Sequence, residues 1–338
     1  MQAIATCEFL LSPALCESNV VDDFFLSLTQ LHSDILHSSA PPLIEEDAYY
    51  KLIASDRFPT DKVFSQNIKE NGVSIFTAQD ITTLVNKILV DAKSLSDSDQ
   101  YWVQEWKNLL ITPPIGAVSE QRREELIEFF STLAIYSLSN DKATCALHFE
   151  NEASNETSLQ GELVDAFPLD VVYPLNVSKV INVFPVYKNF LCVIGHEFFL
   201  SDVKSEYDFK LAMFAGALKV MSQSNCSTDQ FELDSFFIGR DFIDSLKRNQ
   251  SYISCTYFSV VFDTVINLLA GTPKNKLSPF RVGVNSNVQR LSSDKSMKAF
   301  RTHITSSGLA LRLMYWQRND GKILLANVGP KNECEISE

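Results

Sequence analysis

Hydrophobic positions change their period along the chain, and the changes mark its elements. Residues 3–11 alternate loosely between apolar and polar, which predicts a first strand. Val21, Phe24, Phe25, Leu28, Leu31 and Ile35 then recur at helical spacing, with Ser18 or Asn19 as the cap and residues 38–42 as the stop. Thr77 and Asp80 form a capping box ahead of the stripe Ile81, Leu84, Val85, Ile88, Leu89 and Ala92. Ser119 caps a further helix carrying Leu126, Phe129, Phe130, Leu133 and Tyr136. Such stripes are core faces. The β-rich runs 180–187 and 190–194 flank Lys188 and Asn189 and predict a hairpin, whereas 206–221, 241–247 and 257–269 read as helices, the last ended by Gly271 and Pro273.

Period two returns at the C-terminus. Residues 300–304, 309–317 and 322–328 read as three strands joined by Thr305-Ser306-Ser307-Gly308 and Asn319-Asp320-Gly321, a three-stranded antiparallel meander. A two-residue turn at Asp320 and Gly321 pairs Asn319 with Lys322 and sets Arg312 opposite Gly329. A turn centred between Ser306 and Ser307 pairs Ile304 with Leu309 and Arg301 with Arg312. On that register Arg301, His303, Arg312 and Lys331 converge near one end of one face. The other face holds Phe300, Thr302, Ile304, Leu309, Leu311, Leu313, Tyr315, Leu324, Ala326 and Val328 and is expected to pack on helices. Like charges across a sheet repel one another. The cluster therefore implies a phosphate ligand or an acidic partner between them.

Charge sharpens the picture. Residues 272–332 hold eleven Lys and Arg against two Asp, while residues 1–271 hold 18 basic and 37 acidic side chains, within a net charge of −13. A basic module after an acidic body is suited to gripping phosphate, or to being held by a protein partner or by the acidic body itself. The 338 residues, 45% of them hydrophobic, are enough for two or three packed domains. The expected fold class is mixed α/β (α+β). Its regions are 1–150, a polar linker or exposed loop at 151–161, a central region at 162–255, and a basic module at 256–338.

The chain opens without a basic segment before its apolar run, and no stretch is apolar enough to span a bilayer. A cytoplasmic protein without a membrane partner is expected. The seven cysteines contain no Cys-x-x-Cys pair, so reduced thiols are expected. No glycine-rich phosphate loop is present, and no cofactor is implied. Asp208-Phe209-Lys210 and Asp202-Val203-Lys204 match the loose acidic-x-Lys element of metal nucleases, a pattern that arises by chance in most chains of this length. His196-Glu197 lacks the second histidine of a zinc-protease helix, and His32 and His37 are spaced for the surface or a cap.

The run Phe300-Arg301-Thr302-His303-Ile304-Thr305-Ser306-Ser307-Gly308, followed by Leu311-Arg312-Leu313-Met314-Tyr315, the strand 322–327 and Val328-Gly329-Pro330-Lys331, resembles the C-terminal sheet of RelE/ParE-superfamily toxins. The likeness covers about 256–338, roughly a quarter of the chain. RelE-type members cleave messenger RNA in the ribosomal decoding site; ParE-type members act on DNA gyrase. The resemblance implies a toxin of the toxin-antitoxin kind, a metal-independent endoribonuclease in stress response or antiviral defence, with RNA or the ribosome as partner. It places Arg301, His303 and Arg312 at the basic strand positions and Lys331 at that of a further catalytic arginine. Two extra residues lie between Gly308 and Arg312, and the aromatic or histidine residue expected near the C-terminus is replaced by the region of Ile336 and Ser337. His303 is then the one group titrating near neutrality, with Arg301 and Arg312 stabilising phosphorane charge and Lys331 on a flanking phosphate. Two other functions fit the residues: a non-catalytic subunit that binds protein or nucleic acid through the same face, and a metal-dependent nuclease in the body.

Overall fold

A computed structural model describes residues 2–72, 75–95, 103–139, 144–150, 155–167, 169–201, 203–283, 286–306 and 308–338. The protein is mixed α/β and divides into two compact units, Met1–Phe190 and Leu191–Glu338. Among the described residues no helix is long and apolar enough to cross a membrane.

Unit 1 begins with β1 (Gln2–Ala5), α1 (Cys7–Leu10), α2 (Ser12–Leu15), α3 (Val21–His37) and β2 (Leu43–Ile44). Helices α4 (Ala48–Ala54), α5 (Asp61–Asn71) and α6 (Ala78–Asp91) follow. Then come β3 (Val103–Thr112), α7 (Glu120–Ser139), β4 (Thr144–Leu147), β5 (Glu156–Phe167) and β6 (Leu175–Phe184). The sheet order is β2-β1-β4-β6-β5-β3. Strands β2, β1, β4 and β6 are parallel, and β5 runs against both β6 and β3. Hence β3 shares the direction of β1, and five strands end at the same sheet edge. Phe129, Phe130 and Leu133 of α7 pack with Leu159, Leu163, Val177 and Ile181 of the sheet in one core.

The expected strand at 3–11 stops at Ala5 because the Thr6 hydroxyl accepts the Phe9 amide and caps α1. The capping box at Thr77 and Asp80 forms as expected, and Ser119 Oγ accepts the Arg122 amide at the start of α7. The expected loop at 151–161 is strand from Glu156 onward; 151–154 lie outside the described residues. Thr157 and Leu159 point inward there, while Glu156 and Gln160 face solvent, so a polar composition concealed a period of two. The expected hairpin at Lys188 and Asn189 is instead helix α8 (Tyr187–Leu200), which crosses the division between the units and is broken at Gly195, φ 67°. Tyr187, Phe190 and Leu191 are all buried at three- and four-residue spacing, a helical face that a short apolar run cannot distinguish from a strand.

Unit 2 continues with α9 (Glu206–Gln223), β7 (Phe236–Ile238), α10 (Phe242–Arg248), α11 (Phe258–Leu269) and β8 (Ser278–Pro279). Strands β9 (Met297–His303), β10 (Arg312–Arg318) and β11 (Ile323–Gly329) complete it. In place of a three-stranded sheet, these last strands form the middle of a five-stranded one, ordered β7-β11-β10-β9-β8, with β7 parallel to β11. The outer strands, of three and two residues, are too short to show a period.

Register differs from expectation at both turns. Arg318 N donates to Lys322 O at 2.9 Å and Gly321 has φ +87°, so the second turn has three central residues, Asn319 to Gly321. A bulge opposite Met314 and Tyr315 then restores the offset and leaves Arg312 across from Gly329. Leu324 and Ala326 consequently lie on the face with Met314 and Trp316, opposite to their expected side. At the first turn Thr305 Oγ1 accepts the Leu311 amide at 2.9 Å and Ala310 adopts φ 45°, closing a wider loop in which Ile304 pairs with Leu311. The shift is two residues. Facing is preserved, but Arg312 now stands across from His303 and Arg301 across from Met314.

Candidate anion site on the unit 2 sheet

Three adjacent strands build the site. Arg312 opens β10 and lies directly between His303 of β9 and Gly329 of β11, while Arg301 occupies the same face two residues before His303. Lys331 is exposed in the turn that follows β11. Burial, then the charges of Arg312, Arg301 and Lys331, hold the exposed His303 imidazole below its ordinary pKa. The four side chains expected from the sequence therefore share one electrostatic environment, with His303 at its centre.

Among the described residues neither guanidinium is paired with a carboxylate. Arg312 is only 9% exposed, and its Nε is buried with no hydrogen-bond partner. Burial and the Arg301 charge push its pKa down. Arg301 lies over the Phe280 ring at 5.8 Å, a contact that fixes the cation without neutralising it. Elsewhere in the basic segment three cations are paired, Lys274 with Asp263 at 2.6 Å, Lys322 with Asp234 at 2.9 Å and Arg318 with Asp320 at 3.4 Å, whereas Arg312 differs from the other unpaired cations in being buried. Glu333 folds over Gly329, where an added Cβ would stand 2.8 Å from its Cγ, but among the described residues no carboxylate forms an ion pair with Arg301, Arg312 or Lys331. A buried cation without a partner is unfavourable by about 1–3 kcal/mol or more, and a second guanidinium nearby adds to that. An anion seated between them relieves both terms.

The C-terminal segment covers the remainder of this face. Ile336 joins Phe280, Ala299, Met314, Trp316 and Ala326 in a small core, Trp316 Nε1 donates to Ser337 O at 2.6 Å, and Asn327 Nδ2 donates to Glu335 O at 3.3 Å. The segment around Ile336 and Ser337 is thus a packed strap.

Other sequence candidates are structural. Asp208 Oδ2 accepts from the Lys204 and Ser205 amides and from Ser205 Oγ, so its carboxylate caps α9; Asp202 lies outside the described residues. His32 pairs with Asp91 at 2.8 Å, and no group of three metal-ligating side chains occurs among the described residues. One constellation escaped the sequence reading: Glu8, Glu45, Arg122 and His148, all buried in unit 1. Its signal in the sequence is a titratable residue directly after a short apolar run, as at His148 after Cys145-Ala146-Leu147. In comparisons with known proteins, no family model, no curated protein and no solved structure matches the chain.

Proposed function

We propose that unit 2 binds the phosphodiester backbone of RNA on the β9–β10 face, and that the chain is a toxin-like protein acting on RNA or the ribosome through that face. Arg312 supports this reading most directly: a guanidinium nine-tenths buried, repelled by Arg301 and left with an unpartnered Nε, is a poor structural group and a preorganised phosphate ligand. Arg301 and Lys331 would take flanking phosphates. His303, neutral at pH 7 because its pKa is lowered, is the one group at the site able to move a proton near neutrality.

A second reading, binding without cleavage, is favoured by Ile336. Metal-independent scission needs both a base for the 2′-hydroxyl and an acid for the leaving oxygen, and Ile336, packed in the small core, can act as neither. Expression of the full chain, with mapping of ribosome-associated messenger RNA ends, separates the readings. Growth arrest with cleavage, lost in Arg312→Met, supports the toxin; RNA binding without new ends supports the second reading; full arrest by Arg312→Met rules out this site.

A further inference from the structure

Unit 1 gathers buried charge at the edge where five of its strands end. Glu8 follows β1, Glu45 follows β2, His148 and Glu150 follow β4, and Arg122 comes from the first turn of α7. Arg122 is 1% exposed and meets both Glu8 oxygens, Nε to Oε1 at 3.0 Å and Nη2 to Oε2 at 2.9 Å. It also donates to Glu45 Oε2 at 2.9 Å and pairs with Glu125. Its donors are all directed at carboxylates, and Lys51 Nζ stands 3.4 Å from Glu45 Oε1, so three carboxylates meet two cations and the edge keeps a net negative charge. His148 does not offset that charge. Its Nε2 lies 2.9 Å from Gly116 O, which can only accept, so Nε2 carries the proton and Nδ1 accepts from Thr6 Oγ1 at 3.0 Å. The ring is neutral, its pKa pushed down by burial to about 4.

Beside this knot opens a cavity of about 610 Å³ lined by Glu8, Leu15, Gly116, Arg123, Phe149 and Glu150, among others. It lies where the strand order reverses: the chain leaves β1 for β2 on one side and leaves β4 for β6 and β5 on the other. Sheets of this kind bind ligands in the crevice at that point, outside the carboxyl ends of the strands. Glu150 is poised there. Its Oε2 accepts the Gly116 amide at 2.6 Å, which fixes the carboxylate, while Oε1 has no hydrogen-bond partner among the described residues. A Cβ on Gly116 would stand 2.8 Å from Glu150, so glycine permits this approach. Arg123, at the rim, is turned outward onto Glu120 at 3.3 Å with its side chain 57% exposed.

We propose that this cavity binds a small organic cation, an amine or guanidinium on a short apolar chain, with Glu150 Oε1 as its ion-pair partner and Phe149 and Leu15 against the chain. The fixed negative edge sets the sign of the ligand, and the apolar walls set its body. Isothermal titration of the full chain with agmatine, which carries both groups, tests the assignment. Saturable binding is expected, weakened roughly tenfold or more by Glu150→Gln, which loses a charge-assisted contact but can keep the bond to Gly116. Arg123→Ala, an exposed rim change, is expected to bind as tightly as the natural chain or more so. Three results would overturn the proposal: no saturation by about 10 mM agmatine, unchanged affinity in Glu150→Gln, or weaker binding in Arg123→Ala.

Discussion

Replacing Arg312 by Met should stabilise unit 2 while removing its ligand affinity. The side-chain stem is buried in the sheet and Met retains most of that packing. What is lost is a guanidinium with an unpartnered Nε and a repulsive neighbour in Arg301. Deleting such a group relieves a desolvation penalty of about 1–2 kcal/mol after allowance for partial access to water, which corresponds to a rise in Tm of roughly 2–6 °C. Native-state hydrogen exchange at the β10 amides reads this free energy without requiring the whole chain to unfold in one step. Phosphate or RNA should protect those amides in the natural chain, by about 2.7 kcal/mol at a hundredfold excess over Kd, and should leave Arg312→Met unaffected. A loss of more than about 1 kcal/mol in the substituted protein would mean that the guanidinium is held by the fold and is not waiting for an anion.

Two titrations follow from the histidines. His303 is held below its ordinary pKa by burial and three cations, and a bound phosphate raises it; RNA affinity should therefore strengthen as pH falls and level off once pH is below the lowered pKa of the free protein. His303→Gln should flatten that dependence, as measured by fluorescence anisotropy. His148 is buried neutral with a pKa of about 4, below its unfolded value, so the unfolded state binds the proton first and unit 1 loses up to about 3 kcal/mol as pH falls from 6.5 to 4. Hydrogen exchange at the β4 amides should show this acid limb, and His148→Gln should shorten it.

Much of this architecture was legible wherever local chemistry decides the outcome. The capping box at Thr77 and Asp80, and the stripe at Leu126, Phe129, Phe130 and Leu133, act through neighbours three or four residues away and form as the spacing predicts. The cation face was legible for a narrower reason. Both turns differ from expectation, but the first shift is even, and the one-residue change at the second is undone by a bulge before Arg312. Parity preserved the face, while the pairing of Arg312 with His303 required knowledge that Thr305 closes the loop. The Arg122 knot could not be read at all, since Glu8 and Glu45 lie 114 and 77 residues away and meet it only through the sheet. The role of Ile336 was hidden for the same reason: a single apolar residue in a polar segment has no period, and its partners Phe280 and Trp316 are remote in sequence.

RNA phosphate held on the β9–β10 face makes binding depend on salt. Anisotropy of a labelled single-stranded RNA should show affinity falling linearly with salt on logarithmic axes. Arg312→Met should reduce affinity about tenfold or more and lower the slope by about one, with Arg301→Ala acting in the same direction. Equal affinity and equal slope in the natural chain and Arg312→Met would mean that RNA phosphate does not bind on this face.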